Sequence, residues 1–471
     1  MRFVGGVEQA GFLRLMDRAG PARTVLVGVD VGKFDALALV ADGRGELLAE
    51  PVAFGLDEPG VEALEAAVSR ARFMRSATLV RFGVEACGHY HRLLVHRLRA
   101  AGWDTIDLSP AQVHAARSQM GYRRLKSDQR DAAAMIELLI RGAGRHGGAD
   151  QGAMTQLQAW VAHRNRKQAA RVALGNQLLS SIDLAFSSLQ GCFSDPLARK
   201  SFWLVVQALG ADIDQVVALD PKMLRALGSE HAVRVETPKA IRIITAAHQS
   251  LRLPEPERQA RLEIVRRDAA MLEDLLRELD DTDRIVADLL AQTPARVLTS
   301  LPGVGSIRAA DYAAALGDHT RFPTAEHAYR ASGLVPSQYD SAGNSRRGGI
   351  GREGSAALRH AIIEMGRGLA QHDPHFAAFK RTLIGRGKRP KVANVAVGHR
   401  AHRLAFALIR NQQTYDPDRF AVAISTQGER RRAADRPVNG RRAASCAHDV
   451  TCPPPPTVTP TAARRNTPVA S

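Results

Sequence analysis

Between Thr24 and Leu108 the apolar residues change their rhythm, and that change restricts the possible fold more than any other feature of the chain. A run through Val25, Val27 and Val29, a second from Ala36 to Val40 and a third from Glu46 to Phe54 all have strand length, with Asp42-Gly43 as turn chemistry between the last two. Thereafter helices and strands alternate. A helix over Gly60 to Arg72 precedes a strand from Ala77 to Val84. A helix from His91 to Ala100, a short strand from Thr105 to Leu108 and a helix containing Arg124 to Arg141 complete the pattern. A three-stranded meander followed by alternation predicts a mixed α/β sheet with helices packed on it.

The remainder reads as mostly helical. Gly142 to Gly152 is glycine-rich and marks a boundary. The helix expected over Met154 to Leu189 carries His163, Arg164, Arg166, Lys167 and Arg171, which suit a phosphate backbone or an ordinary solvated face. Residues 190 to 255 read as helical. Leu262, Val265, Ala269, Leu272, Leu276, Leu279, Val286 and Leu290 then step by threes and fours, interrupted at Asp283, as in a coiled-coil hairpin or dimer arm, or in a long helix packed inside one subunit. After Pro294, Val297 to Pro417 forms a second folded unit with a Gly- and Arg-rich loop from Pro336 to Gly354. Beyond Ser425 the Arg-, Pro-, Ala- and Thr-rich composition predicts a disordered basic tail. The expected divisions are an extension over 1–23, an α/β domain over 24–150, a helical linker and coiled coil over 151–294, a C-terminal domain over 295–420 and the tail over 421–471.

Lysine and arginine outnumber aspartate and glutamate 65 to 48 in the 471 residues, a net +17 that attracts polyphosphates but also occurs in arginine-rich proteins of other kinds. The four cysteines have neither zinc-ligand nor disulfide-framework spacing. No apolar run reaches the roughly 18 residues of a membrane span, and Met1 to Arg23 mixes charges where a signal peptide has an apolar core, so a cytoplasmic protein without a membrane partner is expected.

Carboxylates carry the most specific chemistry. In Val27-Gly28-Val29-Asp30-Val31-Gly32-Lys33 an acid emerges from an apolar first strand, a pattern shared by RNase H-like nucleases and by actin-like and sugar-kinase ATPases. Glu85 ends the later apolar strand in Gly83-Val84-Glu85, where metal ligation and simple arrival at the surface are both adequate reasons. Asp128 and Asp131 lie three apart and share a helix face, which costs stability unless a cation lies between them; Lys126 and Arg130 would equally support a solvated face. Taken together, Asp30, Glu85, Asp128 and Asp131 make an oxygen-only set suited to Mg²⁺ or Mn²⁺. Such a set can hold ions that assist both the attacking and the leaving oxygen in phosphodiester cleavage.

Asp30, Gly83 to Tyr90 and Lys126 to Ala132 resemble, in order and spacing, the RuvC-like nuclease domain of DEDD-type insertion-sequence transposases, the IS one-ten group. Leu301-Pro302-Gly303-Val304-Gly305, Ala331 to Pro336, Arg347 to Ile350 and Tyr415-Asp416-Pro417 resemble the C-terminal domain of the same family. The resemblance covers about residues 24 to 145 and 295 to 418 and is loose in the helical middle.

The resemblance implies an RNase H/RuvC-like mixed-sheet domain, a helical coiled-coil middle and a helical transposase domain with a helix-hairpin-helix-like element. Asp30, Glu85, Asp128 and Asp131 would bind the metal, and a serine would attack DNA to form a phosphoserine link. Ser341 occupies the matching place in Tyr339-Asp340-Ser341-Ala342-Gly343, although the family often has a second serine and a second glycine where Asp340 and Ala342 stand. That departure keeps Ser337 and Ser345 as alternatives. Arg164, Arg166, Lys167, Arg346, Arg347 and Arg352 suit phosphates, as do the backbone amides around Gly303 and Gly305; Arg386, Lys388, Arg389 and Lys391 form another basic loop. The implied partners are element ends and target DNA, an element-encoded guide RNA and further copies of the chain, a dimer or tetramer, in a bacterial cytoplasm close to the nucleoid. The alternatives are a junction-resolving nuclease that needs only the carboxylates and an inactive nucleic-acid-binding regulator.

Overall fold

The computed structural model describes residues 7–86, 88–121, 127–146, 152–341, 344–351 and 353–418. The chain divides after Thr414 into two units, and every helix and strand from Val7 to Asn411 belongs to the first. Helix α1 (Val7–Ala19) leads into strands β1 (Thr24–Val31), β2 (Asp35–Asp42) and β3 (Val52–Gly55). Then come α2 (Glu58–Met74), β4 (Leu79–Glu85), α3 (His91–Ala100), β5 (Thr105–Leu108), α4 (Pro110–Gln119) and α5 (Asp128–Ile140). The sheet runs β3-β2-β1-β4-β5, antiparallel among β3, β2 and β1 and parallel among β1, β4 and β5. This mixed five-stranded sheet is compatible with the expected RNase H-like domain.

Three boundaries differ from the sequence reading. The third strand begins at Val52, and Leu47 touches β2 only through one isolated bridge to Ala41. A separate helix, α4, starts with Pro110 at its first position, where the missing N–H costs nothing. Helix α5 begins at Asp128 because Ser127, in extended conformation, accepts from the Arg130 amide with its side chain and so ends the helix there. Arg124 lies outside the described residues.

Strand periodicity gives the sheet two buried faces. Val25, Val27 and Val29 of β1 and Phe82 and Val84 of β4 pack in a core with Leu64 and Val68 of α2 and Leu94 and Leu98 of α3. Leu26 packs in the opposite core with Met135, Ile136 and Leu139 of α5. Gly28 and Gly83 are partners across the parallel β1–β4 pair and both face α5. A Cβ on Gly28 would stand 2.6 Å from the Ala132 carbonyl oxygen, and one on Gly83 would stand 2.9 Å from Leu108 Cδ1 and 3.0 Å from Leu139 Cδ2. Only the absence of side chains there lets α5 lie this close to the strands.

The long helix α6 (Ala153–Ala185) is followed by α7 (Lys200–Ala208), α8 (Ile213–Val217), α9 (Pro221–Glu230), α10 (Thr237–Gln249) and a second long helix, α11 (Glu257–Ala291). The heptad-like seam of α11 is filled from its own chain: α6 packs along it, and Val265, Ala269, Leu272, Leu279, Val286 and Leu290 are buried. The acid that interrupts the seam is satisfied in the same way, since Arg164 of α6 donates to both carboxylate oxygens of Asp283. A second copy of the chain is therefore not needed to cover this seam.

Helices α12 (Ser306–Leu316) and α13 (Ala325–Ala331) precede β6 (Pro336–Ser341) and β7 (Asn344–Ile350), and α14 (Ala356–His372), α15 (Pro374–Gly385) and α16 (Pro390–Asn411) complete the unit. The expected Gly- and Arg-rich loop is thus largely a β-hairpin, with Ser341 opposite Asn344. Among these helices His402 is fully buried. Its Nε2–H donates to the Ala325 carbonyl at 2.8 Å, which leaves Nδ1 to accept from the Tyr312 hydroxyl at 2.9 Å. Burial holds this imidazole neutral and lowers its pKa to about 4. Among the described residues no helix is long and apolar enough to cross a membrane.

Two outcomes are expected. Gly28→Ala forces the Ala132 carbonyl away and destabilises the protein by about 1–3 kcal/mol in a urea titration; an unchanged midpoint would mean that α5 has slack. For His402, the unfolded chain protonates the ring near 6.5 and the folded chain only near 4. The unfolded state therefore holds the extra proton, and stability is lost as pH falls from about 6.5 towards 4, at no more than roughly 1.4 kcal/mol per pH unit from this group. His402→Gln should flatten the fall measured between pH 7 and pH 5, and an unchanged slope would remove His402 as its cause.

Candidate active site

Strand alternation places the acids. Asp30 follows Leu26 and Gly28 at two-residue steps, and Glu85 follows Gly83, so both face α5, where an acid would otherwise be excluded by the core. The parallel register brings Val29 beside Val84, so Asp30 and Glu85 come next to each other one step further, at the ends of their strands. The first turn of α5 carries Asp128 and Asp131 against the same end of the sheet, since Ala132 already touches Gly28.

These four side chains line one cavity of about 460 Å³, whose walls also include Gly32, Asp35, Pro110, Val113, His114 and Arg117. All four acids of the sequence reading are therefore brought together from three separate segments. Asp131 is buried, Asp30 and Glu85 are half-buried and Asp128 is exposed. Among the described residues that line the cavity, five are carboxylates, counting Asp35, and one is an arginine, Arg117. Arg117 donates from one terminal nitrogen to Asp131 Oδ1 and meets His114 Nδ1 with the other at 3.0 Å. The pair is sheltered, with side chains 14% and 3% exposed.

The carboxylate oxygens of Asp30, Glu85, Asp128 and Asp131 fit a hard divalent cation, and these are the residues that would hold it. Among the described residues no three acidic, histidine or cysteine side chains are already gathered as a ligand set, and Asp131 is engaged by Arg117. The sequence reading missed Asp35, His114 and Arg117. Asp35 had a signal, being the acid that opens β2 immediately after the Asp30 strand; His114 and Arg117, three apart on a helix that was not foreseen, had none.

The remaining site residues are dispersed. Ser341 ends β6 at the hairpin. Arg346 and Arg347 stand on β7, opposite Tyr339 and Gln338. Arg352 lies outside the described residues, as do the positions of the turn after Ser341. On α6, Arg166 is exposed and Lys167 half-buried. Arg164, also expected to meet phosphates, has its guanidinium bound to Asp283 in the α6–α11 contact.

Gly303 likewise acts as a packing residue. Its φ is +73°, a Cβ would stand 2.4 Å from His372 Cδ2 and 2.6 Å from the Gly368 carbonyl, and its own carbonyl accepts from Arg308 at 2.9 Å. Gly305 is exposed at the start of α12, where no side chain caps the helix.

Two family models match the chain where these elements lie. A DEDD transposase model of the IS110 type, described as Transposase, matches residues 27–187, and one described as Transposase IS116/IS110/IS902 family matches residues 295–381. The chain is 24% identical over 373 residues to the Transposase for insertion sequence element IS1111A of Coxiella burnetii, covering 77% of this chain and 87% of that protein. It is 27% identical over 420 residues to the Insertion element IS900 uncharacterized 42 kDa protein of Mycobacterium paratuberculosis, covering 84% and 98%. A Pilin gene-inverting protein of Moraxella bovis is 27% identical over 129 residues, 26% of this chain and 38% of that protein. The acids at the cavity fall inside the first match and the β6–β7 hairpin inside the second, and the chain belongs to the IS116/IS110/IS902 family of transposases.

Proposed function

We propose that this protein cuts and rejoins DNA to move an insertion sequence, with Asp30, Glu85, Asp128 and Asp131 as ligands for Mg²⁺ or Mn²⁺ and Ser341 as the nucleophile. The observation that carries the reading is the meeting of four carboxylates, from two strand ends and one helix, on a single cavity. Relatives named as transposases, and one named for inverting a gene, support a reaction in which strands are rejoined as well as broken.

A bound divalent ion would lower the cost of charge on the attacking and leaving oxygens. The residues of the chain supply the rest. Asp30, Glu85, Asp128 and Asp131 would hold the ion, and the serine Oγ displaces a deoxyribose oxygen from phosphorus, forming an O–P bond as the strand's P–O bond breaks and the leaving oxygen takes up a proton to become a hydroxyl. The serine proton passes to a carboxylate or to solvent. Attack by the hydroxyl of a different strand reverses the exchange and releases the serine, so bonds are conserved and no nucleotide cofactor is consumed. Lys167, Arg166, Arg346, Arg347, Arg352 and the amides at Gly305 are assigned to phosphates. An element-encoded guide RNA selects the DNA, and a dimer or tetramer unites the hairpin serine with a carboxylate cavity. The protein's expected place, beside the DNA of the bacterial cytoplasm, follows from that role.

The carboxylate cavity alone would serve a purely hydrolytic junction-resolving nuclease, which is the second reading. One assay separates the two. With Mg²⁺, the element's RNA and both DNA partners, the wild-type protein should give recombinant junctions and, on suicide substrates, a covalent protein–DNA adduct. Asp30→Asn and Ser341→Ala should each reduce junctions by at least about 100-fold, the order of effect of removing a catalytic group. Cleavage without any adduct would overturn the serine role and leave the hydrolytic reading; full junction formation by Asp30→Asn would overturn the metal site.

A further inference from the structure

The guanidinium of Arg117 is a cation already present in the carboxylate cavity. It comes from the last turn of α4, donates to Asp131 Oδ1 and also meets His114, and all three residues line the same walls as Asp30, Asp35, Glu85 and Asp128. A buried carboxylate that leaves water needs a hydrogen-bonding cation beside it, and Arg117 is that cation here. Arginine cannot give up its proton in a protein, so the charge stays on it. The ion pair is not required to dock α4, because Val113 and Ala116 of that helix are already buried against Ala132, Met135 and Leu139 of α5. It does oppose a divalent ion: it occupies an oxygen of the most buried acid and adds a repulsive charge beside the place where the ion would sit.

We infer that Arg117 is an exchangeable counter-ion, which holds Asp131 while the cavity lacks a divalent cation and leaves it when the cation enters. This rests on the reading of the four acids as metal ligands. On release the guanidinium stays on the cavity wall beside His114, where the phosphate of an incoming strand is the anion that takes it. A planar fork of donors suits both partners, since carboxylate and phosphate each present paired oxygens.

Arg117→Met keeps the aliphatic stem and most of the volume but removes the charge. In the full-length protein without nucleic acid, Mn²⁺ binding followed by calorimetry should tighten at least about 10-fold over wild type. The thermal midpoint in chelator should fall, and Mn²⁺ should restore it by a larger shift than wild type shows. Arg117→Lys, which retains a cation, should bind Mn²⁺ close to the wild-type affinity. Equal or weaker Mn²⁺ binding by Arg117→Met would overturn the exchange and make the pair a fixed anchor. If wild type binds Mn²⁺, Asp131→Asn loses it and Arg117→Met gains nothing, the metal reading survives and the exchange alone falls; if none of the proteins binds Mn²⁺, both fall. Should Arg117→Met not fold, the Arg117 Nε–H resonance of the wild-type protein, assigned by its loss in Arg117→Lys, gives the same decision. It should move on titration with Mg²⁺, and a stationary resonance overturns the exchange.

Discussion

The close approach of α5 to the paired glycines of β1 and β4 is the constraint from which the candidate site follows. Gly28 and Gly83 sit opposite each other in a parallel register, and neither can carry a side chain while Ala132, Leu108 and Leu139 stand where they do. Because side chains alternate along a strand, the same face that has glycine at Gly28 has an acid two residues later at Asp30, and likewise Glu85 after Gly83. A helix lying on the glycines therefore brings its own first turn, with Asp128 and Asp131, to the acids at the strand ends. Packing and chemistry are set by one contact.

That contact creates an electrostatic problem, which the fold answers locally. Five carboxylates share a cavity, and the deepest is matched by a guanidinium from α4, a helix held by apolar contacts of its own. The same device recurs away from the site: Asp283, an acid in the apolar seam of α11, is matched by Arg164 of α6. In both places an acid at a helix–helix contact is matched by an arginine from the neighbouring helix.

The strands, their order of appearance and the four acids were legible in the sequence because apolar period and strand length are local properties, and because an acid ending an apolar run stands out against its neighbours. What escaped depends on contacts between distant segments. Nothing around Arg117 indicates that its partner is Asp131, nor does the basic stretch of α6 show that Arg164 turns towards Asp283. Gly303 read as a turn whose backbone amides suit a phosphate, and the sequence did not show that its left-handed backbone also packs against Gly368 and His372 of α14. The β6–β7 hairpin read as a loop because its glycines and arginines lack the alternation of apolar residues that marks a half-buried strand. The heptad-like seam was readable as a seam, but spacing does not reveal whether the covering helix belongs to the same chain.

The proposed role of these four acids is to hold a divalent cation. Anomalous diffraction from crystals grown with Mn²⁺ tests it most directly. A manganese peak is expected inside the cavity, within coordination distance of Asp30 and Glu85 and of at least one of Asp128 and Asp131. Manganese bound only elsewhere on the protein, with the cavity carboxylates contacting none at millimolar concentration, would contradict it.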